Sequence, residues 1–255
     1  MNVLVFDIET IPDLAAGRLL YDLADLSDAD VAKVMFHKRR EENGTEFLRH
    51  HLHQVAAIAA VLRTGDSLKV WSLGEPGSPE PELLQRFFDG IDKYTPTLVS
   101  WNGGGFDLPV LHYRALKHGI SAPRYWETGA GDSSFRYNNY LNRFHERHTD
   151  LMDVLSGYQA RACAPLDDIA RLLGYPGKLG MDGSQVWDAW LAGRIGEIRD
   201  YCETDVLNTY LVYLRYERMR GALNPREHDA EIARVRSFLA AESRAHWVSY
   251  RNAWK

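Results

Sequence analysis

The sequence predicts an α/β fold built on a mixed sheet, three antiparallel strands followed by parallel ones, flanked by helices and interrupted after the first strand by a helical insertion. Three observations predict it. The chain opens on an unbroken apolar run, Val3 to Phe6, which suits a central strand covered on both faces. Two more strand-like runs, Val55 to Leu62 and Leu68 to Leu73, are joined by Arg63-Thr64-Gly65-Asp66-Ser67, whose Gly-Asp pair has hairpin turn chemistry. From Thr97 onward, strand-like and helical runs alternate, the order of a parallel portion.

The elements follow in order. Ile11-Pro12-Asp13 ends the first strand, and residues 14 to 53 read as a polar helical insertion in which Ser27-Asp28-Ala29-Asp30 has the form of a capping box. Its His50, His51 and His53 lack the acidic or thiol partners of a zinc site. Glu82 to Tyr94 places Leu83, Leu84, Phe87, Phe88 and Ile91 at helical spacing. Thr97 to Trp101 is the next strand, followed by Asn102-Gly103-Gly104-Gly105-Phe106-Asp107 and a helix that Gly119 stops after His118. Leu151 to Leu155 reads as a short strand or strand end, and Leu166 to Leu173 as a short helix. Ser184 is the expected cap of a helix through Leu191, a long helix spans about 195 to 220, and one last helix from about Pro225 to Ala245 forms the helical tail of about 225 to 255. With no repeat and no obvious linker, 1–255 reads as a single domain.

Composition bounds the function. Hydrophobic residues at 45% and charged residues at 25% are ordinary for a soluble globular protein. The net charge of -5 argues against global wrapping around nucleic acid but leaves local patches open. No run is long enough for a membrane span, and the chain enters a strand directly rather than through a signal peptide. Two cysteines, Cys163 and Cys202, offer no disulfide framework, so the expected setting is reducing and cytoplasmic.

The chemistry-bearing residues lie at three places. Asp7 and Glu9 end the first strand two residues apart, so their carboxylates share a face, an arrangement that calls for a cation between them or for solvent around them. Asp107 follows a strand and opens a helix, where a cap and a functional group are both possible readings. Tyr201 and Asp205, four apart on the long helix, stack on one face. The triple glycine lacks both the Lys-Ser/Thr of a P-loop and the spacing of a dinucleotide fingerprint.

Asp-x-Glu on the first strand, Asn-x-x-x-Phe-Asp after a later one and Tyr-x-x-x-Asp near the end together resemble the DEDD superfamily of 3′-to-5′ exonucleases. The tyrosine in the third motif resembles the branch that includes the proofreading domains of family-B DNA polymerases. Arg136-Tyr137-Asn138-Asn139-Tyr140, Asp150-Leu151-Met152-Asp153 and Gly180 to Val186 are similar to stand-alone bacterial proteins of that kind. The resemblance implies an RNase-H-like fold and release of nucleoside 5′-monophosphates from 3′ ends, with single-stranded DNA as the expected substrate. It also implies two ions, Mg²⁺ or Mn²⁺, on Asp7, Glu9, Asp107 and Asp205, a ligand set whose oxygens suit those metals. Asp7 would bridge the ions, Glu9 and Asp205 would complete the one carrying the attacking water, and Asp107 would hold the other. Tyr201 would orient the water.

Substrate contacts are expected from Asn102, Phe106, Arg136, Tyr137 and Lys178. The stretch 124–148, rich in aromatics and arginines, has the composition of a single-strand groove as well as that of core plus surface. The tail, with Trp247, Tyr250, Trp254 and several arginines, is a candidate surface for nucleic acid, a second copy or another protein, and packing onto the domain is the competing reading. Two rivals remain. A haloacid-dehalogenase-like phosphatase also presents an aspartate from a hydrophobic strand ending in Asp-x-acid-Thr, and a silent nucleic-acid-binding module would use the same fold without cleavage.

Overall fold

The computed structural model describes residues 1–255 and carries a five-stranded sheet in the order β3-β2-β1-β4-β5, where β1 is Asn2–Pro12, β2 His53–Thr64, β3 Ser67–Ser72, β4 Thr97–Ser100 and β5 His148–Asp150. The first three strands are antiparallel, while β4 pairs parallel with both β1 and β5. This is the RNase-H-like mixed sheet expected from the sequence. Strand β1 is central because its apolar side chains are needed on both faces. Val3 and Val5 join one core and Leu4, Phe6 and Ile8 the other. That alternation runs on to Asp7 and Glu9, which therefore share the face of Val3 and Val5.

The face of Val3 and Val5 is covered by α8 (Ile195–Met219), around which α6 (Leu166–Leu172), α7 (Val186–Leu191), α9 (Pro225–Ala241) and α10 (Ala245–Ala253) pack. Every residue of α8 from Tyr201 to Leu214 is buried, as a helix enclosed on all sides requires. The opposite face is covered by α3 (Glu80–Tyr94) and α4 (Asp107–His118), with Phe87 against Phe6 at a ring separation of 5.0 Å. Burial of each such ring contributes roughly 1.5–3 kcal/mol.

The insertion forms α1 (Leu14–Tyr21), α2 (Asp28–Asn43) and a single 3₁₀ turn, His50–Leu52. Ser27 caps α2 by accepting from the Asp30 amide, as the sequence predicts. Val31, Met35, Leu48 and Leu52 form a small core of their own, and Gly17 lets α1 approach α2 where a side chain would meet Met35. The insertion ends at Leu52, since His53 already belongs to β2. A buried ion network fixes its entry. Arg114 on α4 donates to both carboxylate oxygens of Glu80 and to Asp13, and Lys117 donates to Asp13 at 2.6 Å.

Three sequence expectations change. Leu151 to Leu155 is a short helix, α5, because the Asp150 carboxylate accepts from the Met152 and Asp153 amides and starts a helical turn where apolarity alone suggested a strand. Asp182, not Ser184, caps the turn leading into α7, in a capping box with Gln185. The tail is two helices rather than one. After an extended Glu242, Arg244 and His246 both reach the Glu203 carboxylate and fold the chain back. Trp247, Tyr250 and Trp254 are buried against α8, and the Tyr250 hydroxyl donates to Asn208 at 2.6 Å, so the tail's aromatics belong to the core.

Candidate active site

β1 outruns its parallel neighbour: Val5 pairs with Val99, and β4 ends one residue later at Ser100. Beyond that point β1 stays paired with β2 but has no strand on its β4 side, and there the Asp107 carboxylate accepts from the Ile8 amide at 3.2 Å instead. Asp107 thus serves as more than a helix cap. This bond brings its carboxylate alongside Asp7 and Glu9 at the end of the sheet.

The loop that delivers Asp107 is tightly wound. Asn102 has a left-handed backbone, φ 62°, and its carbonyl accepts from the Gly105 and Phe106 amides. Asp150 accepts from the Asn102 and Gly104 amides, both at 2.9 Å. A side chain at Gly103 would collide with Ser100 and one at Gly105 with Asn102, so these glycines serve close packing of the loop on itself.

α8 brings Tyr201 and Asp205 to the same place, and the 177–180 loop brings Lys178. That loop is held by the Asp167 carboxylate, which accepts from the Lys178 amide at 2.6 Å, and by Asn208, which donates to the Gly177 carbonyl at 2.9 Å. The Lys178 ammonium donates to the Tyr201 hydroxyl at 2.5 Å and lies 3.4 Å from Asp205 Oδ2. The structure therefore brings Asp7, Glu9, Asp107, Tyr201, Asp205 and Lys178 together, and Asn102 and Phe106 join Asp7, Asp107, Asp205 and Lys178 in lining a cleft of about 490 Å³.

The electrostatics are those of an acid cluster short of cations. Glu9, Asp107 and Asp205 are buried, and Asp7 is partly exposed. Burial and the neighbouring Asp107 and Asp205 charges push the Asp7 carboxyl well up, and burial with Asp7 and Asp205 does the same to Glu9. Burial pushes Asp107 up to about 7 against the opposing pull of its backbone hydrogen bonds. Asp205 is raised by burial, with Lys178 opposing. Burial works against the Lys178 charge, yet Asp205, Glu9 and Asp7 hold that charge in place. Burial and the surrounding carboxylates also raise Tyr201, which fixes it as a protonated phenol.

Asp205 Oδ1 is buried with no hydrogen-bond partner. Four converging carboxylates, one lysine and an orphaned buried oxygen fit divalent cations with oxygen ligands. Cys202 is the residue that sequence reasoning missed. Its sulfur lies 3.4 Å from both Asp7 O and Asp7 Oδ2, and its ligand atom lies within 4.8 Å of those of Asp7 and Glu9. Burial and the Asp7 charge raise its pKa, so it stands there as a neutral thiol, a weak donor to Asp7. Its position between Tyr201 and Glu203 was the only available signal.

Arg136 and Tyr137 stand apart from this cluster. Their loop is anchored at the N-terminal ends of the parallel strands: the Tyr140 hydroxyl donates to the Pro96 carbonyl, and the Arg147 carbonyl accepts from the Leu98 amide. The carboxylates lie at the other end of those strands. The loop's aromatics Tyr125, Phe135 and Tyr140 are spent on the core, with the Arg147 guanidinium stacked 3.7 Å over the Phe135 ring. The buried rings of 124–148 belong to the core, and Arg136 and Tyr137 are exposed on this loop at the opposite end of the parallel strands.

Known proteins point the same way. Two archaeal proteins named DNA polymerase 1 match short segments, one from Sulfurisphaera ohwakuensis at 53% identity over 38 residues and one from Saccharolobus solfataricus at 52% over 40. Those segments make up 15% and 16% of this chain and 4% of each relative. The family B DNA polymerase structure from Pyrobaculum calidifontis aligns over 82% of this chain and 24% of that one, with a TM-score of 0.50 at 19% identity, a likeness of fold. The model of predicted 3′-5′ exonucleases related to the exonuclease domain of PolB matches residues 45–254, a span that contains Asp107, Tyr201 and Asp205. The chain belongs to this family of predicted 3′-5′ exonucleases related to the exonuclease domain of PolB.

Proposed function

We propose that this protein removes nucleotides one at a time from the 3′ end of single-stranded nucleic acid, with DNA as the preferred substrate, and releases nucleoside 5′-monophosphates. Water adds to the phosphorus of the terminal nucleotide, and the bond from that phosphorus to the preceding 3′ oxygen breaks. That oxygen takes a proton and becomes the new 3′ hydroxyl. The observation that carries this reading is the convergence of Asp7, Glu9, Asp107 and Asp205 around a single lysine, with Asp205 Oδ1 left unpartnered.

Those four carboxylates would hold two Mg²⁺ or Mn²⁺ ions. Such ions, when bound, supply Lewis acidity that eases deprotonation of the attacking water and neutralises the leaving oxygen. The protein's own groups do the rest. Tyr201, kept protonated, donates a hydrogen bond that orients the water and does not act as a base. Lys178 stands ready to exchange its contacts with Tyr201 and Asp205 for a phosphate oxygen. The Asp107 to Ile8 bond keeps its carboxylate aimed at β1.

The test is digestion of matched, end-labelled DNA and RNA single strands with Mg²⁺, Mn²⁺ or chelator, for wild type beside Asp7→Asn and Asp205→Asn. A ladder shortening from the 3′ end is expected with metal, abolished by chelator and at least a hundredfold weaker in either variant, by analogy with loss of a charge-stabilising group. Full metal-dependent activity in Asp7→Asn would sink the ligand assignment. Binding of strands by wild type without any cleavage would favour the silent module instead.

A further inference from the structure

We infer that the strand on the 5′ side of the scissile bond is held by a track of cations that starts at Lys178 and runs along α8 to the C-terminal helices, with Arg215 and Arg236 as its outer phosphate contacts; this rests on the exonuclease reading above. Asp205, Asn208 and Arg215 follow one another on α8 at spacings of three and seven residues, so they lie in one stripe. At the usual helical rise, Arg215 stands about 15 Å further along the helix than Asp205.

The segment 175–178 follows the same stripe. Lys178 lies beside Asp205, the Gly177 carbonyl accepts from Asn208, and the Tyr175 hydroxyl accepts from Arg215 Nε at 3.2 Å. Arg171 packs over Gly177, where a side chain would meet it, and donates to the Lys178 carbonyl at 3.3 Å. Beyond Arg215, the Trp254 ring meets that of Tyr175 at 5.7 Å, and the Arg236 guanidinium on α9 lies 4.1 Å over the Trp254 ring. Contacts therefore connect the cleft to the tail without a gap.

Arg215 and Arg236 are exposed, and neutral groups order them, a phenol hydroxyl for one and an indole face for the other. Arg40, Arg86 and Arg194, exposed elsewhere on the surface, each pair with a glutamate instead. A guanidinium held by a neutral partner keeps its charge, and most of its donors, for a ligand from solution. The Asp167 carboxylate in this run is already engaged by Arg171 and the Lys178 amide. In a chain of net charge -5, a connected line of Lys178, Arg171, Arg215 and Arg236 is a local field of the opposite sign, and its elongated form fits an extended polyanion. Tyr175 and Trp254 are buried beneath it and offer no open face for a base. The track therefore engages phosphates and is indifferent to sequence.

The experiment compares wild type with the Arg215→Ala, Arg236→Ala double variant on a trinucleotide, whose single upstream phosphate falls short of Arg215, and on a strand of about twenty nucleotides. We expect KM on the long strand to rise about fivefold with kcat unchanged, and KM on the trinucleotide to move less than twofold. In an Asp7→Asn background, which leaves the strand intact, the salt dependence of long-strand binding should flatten by about 1.4 in log–log slope, the amount for two lost contacts on a single strand. Arg215→Lys with Arg236→Lys keeps both charges and should restore slope and KM. Equal losses on the two strands, an unchanged slope, or wild-type affinity of the double variant for the long strand would overturn the inference while leaving the exonuclease reading intact. Failure of wild type to shorten any strand defeats the exonuclease reading itself.

Discussion

Two groups of buried charge lie on either side of the sheet, and they are built on opposite rules. Around Arg114, the acids Asp13 and Glu80 are matched by Arg114, Lys117 and His118, and each carboxylate is engaged by cationic or backbone donors. Around Asp7, four carboxylates share one lysine, and one carboxylate oxygen has no partner. The first group completes its own neutralisation and ties the insertion, α3 and α4 together. The second keeps more carboxylates than cations, the imbalance that the proposed ions would offset. Buried charge by itself therefore does not mark a functional site; buried charge left unbalanced does.

The largest expected effect comes from breaking the balanced group. Arg114→Met strands Asp13 and Glu80, whose side chains are 2% and 4% exposed. Loss of one partner of such a network costs about 3–5 kcal/mol. Asp205→Asn, in contrast, removes one charge from a repelling set and should leave metal-free stability unchanged or raised while abolishing cleavage. Urea unfolding of both variants in chelator measures the difference. Equal destabilisation by the two would dissolve the contrast.

A smaller effect separates the groups by pH in chelated protein. Burial raises Asp107 to about 7, so between about pH 4 and pH 7 the native state keeps a proton that the unfolded chain has released. Stability then falls as pH rises through that window, and Asp107→Asn should gain a few °C in Tm over wild type from pH 5 to pH 8. Asp13 has the opposite sign. Burial is outweighed there by Lys117, the Ala16 amide and Arg114, which lower its pKa. Its stabilising contribution is complete above about pH 4 and disappears as pH falls through the folded value. Asp13→Asn should accordingly cost most at neutral pH. Melting curves across pH 3 to 8 decide whether the two signs differ.

The unbalanced group was legible in the sequence because its parts are local. An apolar run fixed β1 as central, strand alternation put Asp7 and Glu9 on one face, and helical spacing put Tyr201 with Asp205. The balanced group was not legible, since Asp13, Glu80 and Arg114 come from three separate segments and carry no common spacing. Cys202 escaped for a related reason, as a weak donor inside a motif read for its acids. Apolarity misassigned Leu151 to Leu155 because a five-residue run does not distinguish strand from helix, and the Asp150 cap decided it. The arginine and aromatic composition of 124–148 was equally ambiguous, because rings that pack a core and rings that stack on bases are the same residues.

The smallest effect is expected from that last stretch, where charge is neither buried nor concentrated. Arg136 and Tyr137 are exposed, Tyr137 at 84%, and their loop is anchored beside Pro96, Leu98 and Arg147 at the sheet end remote from Asp7. On the proposed reading, the nucleotides nearest the scissile bond lie along the Lys178 side of the cleft, at the other end of the strands from this loop. Arg136→Ala with Tyr137→Ala should therefore change kcat/KM on a trinucleotide less than twofold, whereas Lys178→Ala, which removes the only cation beside the acids, should lower it at least tenfold by loss of a charged hydrogen bond of about 1.5–3 kcal/mol. Comparing trinucleotide with a strand of about twenty nucleotides sharpens the point. If the double variant weakens only the long strand, and its salt dependence flattens as lost phosphate contacts require, the remote loop is a secondary backbone contact. If it weakens the trinucleotide as much as Lys178→Ala does, the separation of the two sheet ends argued from strand register is wrong.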